Sequence, residues 1–242
     1  MDPAPTNTFE SISPAEFFYR NRQMAGFGNP TQALFSAVRE LVENSLDACE
    51  QACVAPQIDV RIDTVSPGVQ EVVVADNGSG VPYEHVPEAF GRVLFGNKFA
   101  VRQQRGTFGL GVTMAVLYGQ ITTDTPVVVH TRTGDDEGRL FKIAIDVENN
   151  RPIVLGQTKV PRNEIGTTVT IRLKGDLRRS RDRIIEYTRL TTVTSPHARL
   201  TLSIDKSFSM TVGPHTSALP TPSRVCRPHP RAADVELLRR LL

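Results

Sequence analysis

The most informative stretch of the sequence is Glu40-Leu41-Val42-Glu43-Asn44-Ser45-Leu46-Asp47-Ala48. At the helical period of about 3.6 residues, Glu40, Asn44 and Asp47 fall on one face of a single helix. The opposite face is apolar and carries Leu34, Val38, Leu41, Val42 and Leu46. Small residues rather than long charged ones flank the polar stripe, namely Ala33, Ser36 and Ala37. We therefore predict that the stripe faces a cleft that a ligand fills.

The composition is that of an ordinary globular protein. The chain has 242 residues, of which 39% are apolar and 22% charged, and its formal net charge is +2. This charge is too small to argue for nucleic acid, and no apolar run reaches the length of about 18 residues needed to cross a membrane. Three cysteines cannot form a closed set of disulfides, and the N-terminus shows no secretory signal. Cys49 and Cys53 fall on the apolar side of their predicted helix. These features predict a cytoplasmic protein with reduced core cysteines.

Four segments follow from the distribution of polar and apolar residues. Residues 1–12 form a polar N-terminal arm, and residues 13–206 form a globular domain. Residues 207–230 are rich in Pro, Ser, Thr and His, as in a linker, and residues 231–242 begin an amphipathic helix of a further helical domain.

Helix and strand signals within the globular domain separate into blocks. Helices are expected over 14–24, from 30 to before 56, near 84–92 and 112–117, and over 177–190. Alternating patterns predict strands near 57–64, 70–75, 126–132, 139–147, 152–158, 167–173 and 199–204. Because the helices and strands segregate, we predict an α+β two-layer sandwich of helices on a mixed, mostly antiparallel sheet.

A carboxylate with two glycines behind it follows the second predicted strand, in the motif Asp76-x-Gly78-x-Gly80. Glycines allow a flat ligand to approach the backbone closely, and a carboxylate can accept a hydrogen bond from an exocyclic amine. The same three residue types also suit an ordinary turn.

A second glycine motif, Gly106-x-x-Gly109-x-Gly111, opens a predicted helix. Backbone N–H groups at such a helix start can cradle phosphate, although plain loop geometry produces the same pattern. The motif lacks the Lys-Ser/Thr ending of a P-loop. Glu40 and Asn44 suit a general base and a metal ligand, or simply a solvated stripe.

The order and spacing of these motifs resemble the Bergerat ATP-binding fold of the GHKL ATPases, which include gyrase-type topoisomerases, heat-shock chaperones, MutL proteins and histidine kinases. Longer segments look like the B subunit of DNA topoisomerase VI, a type IIB topoisomerase. They are residues 16–27, 40–49, 93–99, 115–123, 186–192 and 196–199. The resemblance covers nearly residues 9–242, and Arg227-Pro-His-Pro230 looks like the start of that subunit's helix-two-turn-helix domain.

The resemblance implies ATP and Mg²⁺ as ligands and gives roles to the helical stripe. Glu40 would polarise the water that attacks the γ-phosphate, and Asn44 would hold the Mg²⁺ that bridges the phosphates. Lys98 would bind phosphate at the start of a lid loop. The remaining lid residues implied in ATP binding are Gly106, Thr107, Phe108, Gly109, Leu110 and Gly111.

The adenine side of the site is implied in the same way. Asp76 would bind the adenine amine, with Thr167 supporting it through water. Gly78 and Gly80 would shape the adenine pocket.

The resembling family also implies partners. ATP binding would drive formation of a homodimer that gates the passage of a DNA duplex, together with an A-type cleaving subunit and without a membrane. In a prokaryote such a protein would be nucleoid-associated. None of the four tyrosines has the context of a DNA-cleaving residue. Related B subunits continue into a transducer domain that supplies a further lysine, so slow turnover is expected of these 242 residues alone.

Two alternatives stay open. One is a nucleotide-switched dimerisation module without effective hydrolysis. The other is a different ATPase of the same fold, such as a chaperone or a histidine kinase, although a kinase should carry a phospho-acceptor histidine in an upstream helical hairpin.

Overall fold

The computed structural model describes residues 11–96, 110–134 and 137–221, together with Arg239. The α-helices are α1 (Pro14–Arg20), α2 (Pro30–Ala52), α3 (Val86–Gly91), α4 (Gly111–Thr123) and α5 (Leu177–Thr194), and a 3₁₀ helix spans Arg22–Ala25. The strands are β1 (Gln57–Ser66), β2 (Val69–Asp76), β3 (Val127–Arg132), β4 (Arg139–Asp146), β5 (Arg151–Lys159), β6 (Gly166–Lys174), β7 (Arg199–Ile204) and β8 (Phe208–Val212).

The strands form one eight-stranded sheet in the order β5-β4-β3-β6-β2-β1-β7-β8. β1 and β7 pair in parallel, and the other neighbouring strands pair antiparallel. Along β2 the side chains point alternately to the two faces of the sheet, and every second residue from Gln70 to Asp76 is buried in the core against the helices. The predicted α+β fold with a mixed, mostly antiparallel sheet is confirmed.

Helix α2 organises the helical layer. It begins at Asn29, whose Oδ1 accepts a hydrogen bond from Gln32 N–H at 2.9 Å, and Pro30 occupies the first helical position. The helix packs against α4, α5, β1, β2 and β6. Its buried side includes the predicted apolar face of Leu34, Val38, Leu41, Val42 and Leu46. The small residues Ala33, Ser36 and Ala37 beside the polar stripe are buried as well, and the Ser36 hydroxyl donates to the Gly26 carbonyl at 3.0 Å.

The first helix is shorter than its sequence pattern indicates. It was expected to reach Met24, but α1 ends at Arg20 and the chain tightens into the 3₁₀ helix. Asn21 leaves the helical conformation with φ of −118°, and its Nδ2 donates to the Phe17 carbonyl at 2.9 Å. The Asn21 backbone N–H donates to the same carbonyl at 3.0 Å, so the side chain adds to the last helical hydrogen bond of α1. From there the hydrogen bonds tighten to the 3₁₀ pattern, as in Met24 N–H to the Asn21 carbonyl at 3.0 Å.

The sheet continues into the segment predicted to be a linker. Residues 207–230 were expected to lie outside the domain, but Phe208–Val212 form β8 on the edge of the sheet beside β7. Exposed Ser209 and Thr211 give this strand the composition of a linker, while Phe208 and Met210 pack on the core. The domain therefore extends to at least Val212, because an edge strand needs an apolar side on only one face.

Cys49 and Cys53 differ in environment. Cys49 is buried, but Cys53 is exposed in a left-handed conformation at the end of α2, with φ of 55°. The expectation that both are core cysteines is therefore wrong for Cys53. In the part of the chain that is described, no helix combines the length and apolar character needed to cross a bilayer.

Removing core volume from α2 should destabilise the whole domain. Leu46 is 1% exposed, so we expect Leu46→Ala to lower the free energy of unfolding by about 2–5 kcal/mol through lost burial and a residual cavity. Leu190→Ala is the matched control, because Leu190 is 55% exposed on α5 and should change stability by less than about 0.5 kcal/mol. Urea unfolding measures both, and equal losses in the two variants would contradict this packing of α2.

Candidate functional site

The Asp76 carboxylate lies at the end of β2 and is almost enclosed by protein, with 9% of the residue exposed. Its Oδ1 accepts hydrogen bonds from the backbone N–H groups of Gly78, at 2.9 Å, and Thr167, at 3.1 Å. Its Oδ2 accepts one from the Ser45 hydroxyl at 3.0 Å. Helix α2, the loop after β2 and the start of β6 therefore meet at this one side chain.

Burial raises the pKa of the Asp76 carboxyl above its ordinary value. The hydrogen bonds from Gly78, Thr167 and Ser45 and the charge of Arg162 lower it, but burial outweighs them. Buried titratable groups with shifted pKa values are concentrated at functional sites.

Two glycines shape the loop that follows Asp76. A Cβ on Gly78 would lie 2.7 Å from the Ala48 Cβ, so only glycine allows the loop to lie directly on α2. Gly80 has φ of 69°, and a Cβ on it would overlap the Arg132 carbonyl oxygen. Any other residue would therefore be strained at this position. The loop is thus held flat between α2 and β3.

Glu40 and Asn44 lie one turn apart on α2. Arg39 Nη2 donates to Glu40 Oε1 at 2.6 Å, and Asn44 Nδ2 donates to the Glu40 carbonyl at 2.8 Å. The Glu40 carboxylate reaches the N-terminus of α4, because a Cβ on Gly111 would overlap Glu40 Oε2. The positive end of a helix favours a carboxylate and equally suits a phosphate.

Burial alone would lower the pKa of Arg39, but the hydrogen bond and charge of Glu40 outweigh it, so that the pKa is raised. Arg39 Nε also lies 3.7 Å from Glu43 Oε1. The guanidinium is therefore paired with two carboxylates of its own helix.

The structure brings together most of the predicted site residues that it describes. The Asp76 carboxylate accepts from Gly78 and Thr167, and Gly80 lies in the same loop as Gly78. Glu40 lies on α2 with Asn44, and its carboxylate meets the start of α4, where Leu110 and Gly111 are found. Asp47, which shares their spacing, is buried to 2% exposure. The predicted phosphate-binding residues outside the described part are Lys98, Gly106, Thr107, Phe108 and Gly109.

Residues 29–177 match the model of a family described as histidine kinase-, DNA gyrase B-, and HSP90-like ATPase. The chain belongs to this ATPase family. The match begins at the N-cap of α2 and ends at the start of α5, so it contains Asp76, Glu40, Asn44 and the first turn of α4.

Curated relatives carry a narrower name, that of the B subunit of type 2 DNA topoisomerase 6. The protein of that name from Sulfurisphaera tokodaii is 43% identical over 236 residues, which are 96% of this chain and 44% of the relative. The one from Saccharolobus islandicus is 41% identical over 240 residues, which are 97% of this chain and 45% of the relative. The chain thus spans less than half the length of these relatives, and the predicted resemblance to topoisomerase VI B subunits is confirmed.

Among solved structures, the Aquifex aeolicus MutL ATPase domain complexed with ADP is similar, with a TM-score of 0.48 and 21% identity over 78% of this chain and 65% of that one. The assignment to the ATPase family depends on the family match and not on this likeness.

The sequence did not point to three residues that support the site of this ATPase-family chain. The Ser45 hydroxyl on α2 donates to Asp76. The sequence feature that could have pointed to Ser45 is a small polar residue among the apolar positions Leu41, Val42 and Leu46 of a helix. Thr131, fully buried, accepts from Val81 N–H at 2.9 Å and contacts the Thr167 hydroxyl at 3.1 Å. The third is Arg162, whose hydrogen bond to the Asp76 carbonyl spans 86 residues, so that no local pattern could reveal it.

Replacing the buried carboxylate should stabilise the apo domain at neutral pH. Because the pKa of Asp76 is raised in the folded chain, ionisation costs stability as pH rises from the ordinary value of 3.8 through the folded value. We expect Asp76→Asn, which keeps an acceptor for Gly78 and Thr167, to gain free energy of unfolding relative to the parent over this window. Urea unfolding across acidic to neutral pH measures the difference. A relative loss by Asp76→Asn with rising pH would contradict the raised pKa.

Proposed function

We propose that this chain is the nucleotide-binding part of a B-type subunit of a type IIB DNA topoisomerase, and that it binds and hydrolyses Mg·ATP. The observation that carries the proposal is the buried Asp76 carboxylate, held by donors from three elements beside the helix that bears Glu40 and Asn44. The names of the curated relatives support the topoisomerase assignment.

Adenine recognition is assigned to Asp76. A carboxylate accepts hydrogen bonds only, so it selects a base with an exocyclic amine. Thr167 supports it through its backbone N–H, which donates directly to Asp76 Oδ1, rather than only through water. Gly78 and Gly80 would let the flat base lie close to the backbone.

Hydrolysis is assigned to Glu40, as the group that polarises the attacking water, and Mg²⁺ binding to Asn44. The Asn44 carboxamide directs its nitrogen at the Glu40 carbonyl, and its carbonyl oxygen is the hard ligand type that Mg²⁺ accepts beside phosphate oxygens. Within the described ranges, no three His, Cys, Asp or Glu residues cluster as a metal site, and Mg²⁺ bound with nucleotide needs few protein ligands. Mg²⁺ supplies charge neutralisation during phosphoryl transfer.

Phosphate binding is assigned to the N-terminus of α4, where Leu110 and Gly111 lie beside Glu40. The proposal extends to the lid residues outside the described part, which are Lys98, Gly106, Thr107, Phe108 and Gly109. A lid that closes over nucleotide converts binding into a conformational change.

The proposed cycle needs partners. ATP binding would close a homodimer around a DNA duplex and hydrolysis would reopen it, in a complex with an A-type cleaving subunit. The same proposal places the protein in the cytoplasm, or at the nucleoid of a prokaryote.

A second candidate is a nucleotide-switched dimerisation module without effective hydrolysis. The Arg39–Glu40 hydrogen bond favours it, because Arg39 occupies one oxygen of the carboxylate that would have to hold the attacking water. A kinase or chaperone role shares the family match, but relatives with more than 40% identity are named as topoisomerase subunits.

Glu40→Gln should separate binding from hydrolysis. We expect ATP turnover to fall roughly 10²–10⁴-fold, as for loss of a general base, while ATP affinity changes only a few-fold because glutamine keeps the shape of the side chain. Phosphate release and titration with a fluorescent ATP analogue measure the two quantities.

Glu43→Gln is the matched control, since Glu43 lies on the same helix near the same arginine and should retain turnover. ATP-dependent dimerisation of Glu40→Gln, followed by light scattering, tests the gate. If the parent chain binds ATP but shows no hydrolysis above that of Glu40→Gln, the nucleotide-switched dimerisation module is favoured instead. A persistent monomer at saturating ATP would contradict the dimer gate.

Asp76→Asn should also change base selection. Asparagine can donate to the oxygen of guanine, whereas aspartate can only accept. We expect the preference for ATP over GTP to fall by roughly 10–100-fold, the scale of a hydrogen bond to a charged group. Competition of ATP and GTP for the chain measures the ratio, and an unchanged ratio would remove Asp76 from base recognition.

A further inference from the structure

Arg162 lies in the connection between β5 and β6, behind the Asp76 carboxylate. Its Nη2 donates to the Asp76 backbone carbonyl at 3.0 Å, and its Nη1 donates to Thr168 Oγ1 at 2.6 Å. Its Nε donates to the Glu164 carbonyl at 3.0 Å. One guanidinium thus joins the last residue of β2 to the start of β6.

These two strand ends carry the donors that hold the Asp76 side chain. Gly78 follows Asp76 in the loop after β2, and Thr167 precedes Thr168 in β6. Both N–H groups converge on Asp76 Oδ1. By bonding to both strand ends, Arg162 holds the Gly78 and Thr167 N–H groups at a fixed distance and so fixes the direction of the carboxylate.

Arg162 is also a charged group near a buried acid. The side chain is half-buried, and burial lowers the pKa of its guanidinium while the charge of Asp76 raises it. The groups that face Asp76 are Ser45 and Cys49 from α2, Thr167 from β6 and Arg162 from the connection. Burial raises the pKa of Cys49 to about 12, so Cys49 is neutral at ordinary pH, and Arg162 is the cation of this set.

We infer that Arg162 is a positioning residue for nucleotide binding: by joining the end of β2 to the start of β6, it aims the Asp76 carboxylate so that it can accept a hydrogen bond from the adenine amine. The planar fork of arginine suits this task, since it reaches a carbonyl and a hydroxyl at the same time. The inference rests on the proposed role of Asp76.

The geometric and electrostatic parts can be separated by two substitutions. Arg162→Lys keeps the charge but loses the fork, and Arg162→Gln loses both. We expect Arg162→Gln to weaken ATP binding roughly tenfold at neutral pH, equivalent to one charge-assisted hydrogen bond, and to move the acidic midpoint of ATP binding to higher pH. Arg162→Lys should weaken binding while leaving this midpoint near that of the parent.

Arg172→Gln is the matched control. Arg172 lies on β6 and pairs with Glu71 of β2 at 2.7 Å, so this variant breaks an ion pair between the same two strands away from Asp76. It should leave ATP affinity and its pH midpoint unchanged. Thermal unfolding of every variant checks the fold, and Arg162→Lys carries the test if Arg162→Gln does not fold.

The Asp76 carboxyl can also be titrated directly by carbon-13 NMR in the nucleotide-free chain. We expect its midpoint to lie at higher pH in Arg162→Gln than in the parent. An ATP affinity equal to that of the parent in both Arg162→Gln and Arg162→Lys would overturn the positioning role, and an unchanged titration of Asp76 would remove its electrostatic part. If the parent chain bound no ATP, the proposed function would fail, whereas a shift of the Asp76 midpoint in the apo chain would still show that Arg162 keeps this carboxyl ionised.

Discussion

The structure depends on one constraint, which is the burial of a carboxylate at a strand end. An ionised group that leaves water must regain its solvation from fixed donors. Asp76 obtains these donors from α2, from the loop after β2 and from the start of β6. These donors do not fully offset the lost solvation, since burial raises the pKa of Asp76. The carboxylate at which the helical layer and the sheet meet therefore costs the fold stability when it is ionised.

Helix α2 serves both purposes because its two sides differ. Its apolar side packs on the sheet, while Glu40 and Asn44 remain partly accessible beside the N-terminus of α4. Glycine at position 111 lets α4 approach α2 this closely, since a Cβ there would overlap the Glu40 carboxylate. The missing side chain at Gly111 therefore sets both the packing of the two helices and the geometry beside Glu40.

Local patterns predicted most elements, because a period of two or of 3.6 residues is written into neighbouring residues. They failed where a helix ended early, as α1 does at Arg20, and where a polar edge strand resembled a linker, as Phe208–Val212 does. The order of the motifs along the chain predicted Glu40, Asn44, Asp76 and Thr167 as site residues. Thr167 contacts Asp76, and the helix that carries Glu40 and Asn44 contacts Asp76 through Ser45.

The sequence by itself determined the amphipathic helix, the alternating strands and the family, since these depend on residue spacing and on motif order. Only the tertiary structure decided which residues support the site. Ser45, Thr131 and Arg162 reach it across separations of 31 to 86 residues. Their roles depend on strand order, which places β6 between β2 and β3. Hydrogen bonds between distant segments have no period along the chain, and they become visible only when the sheet has brought those segments together.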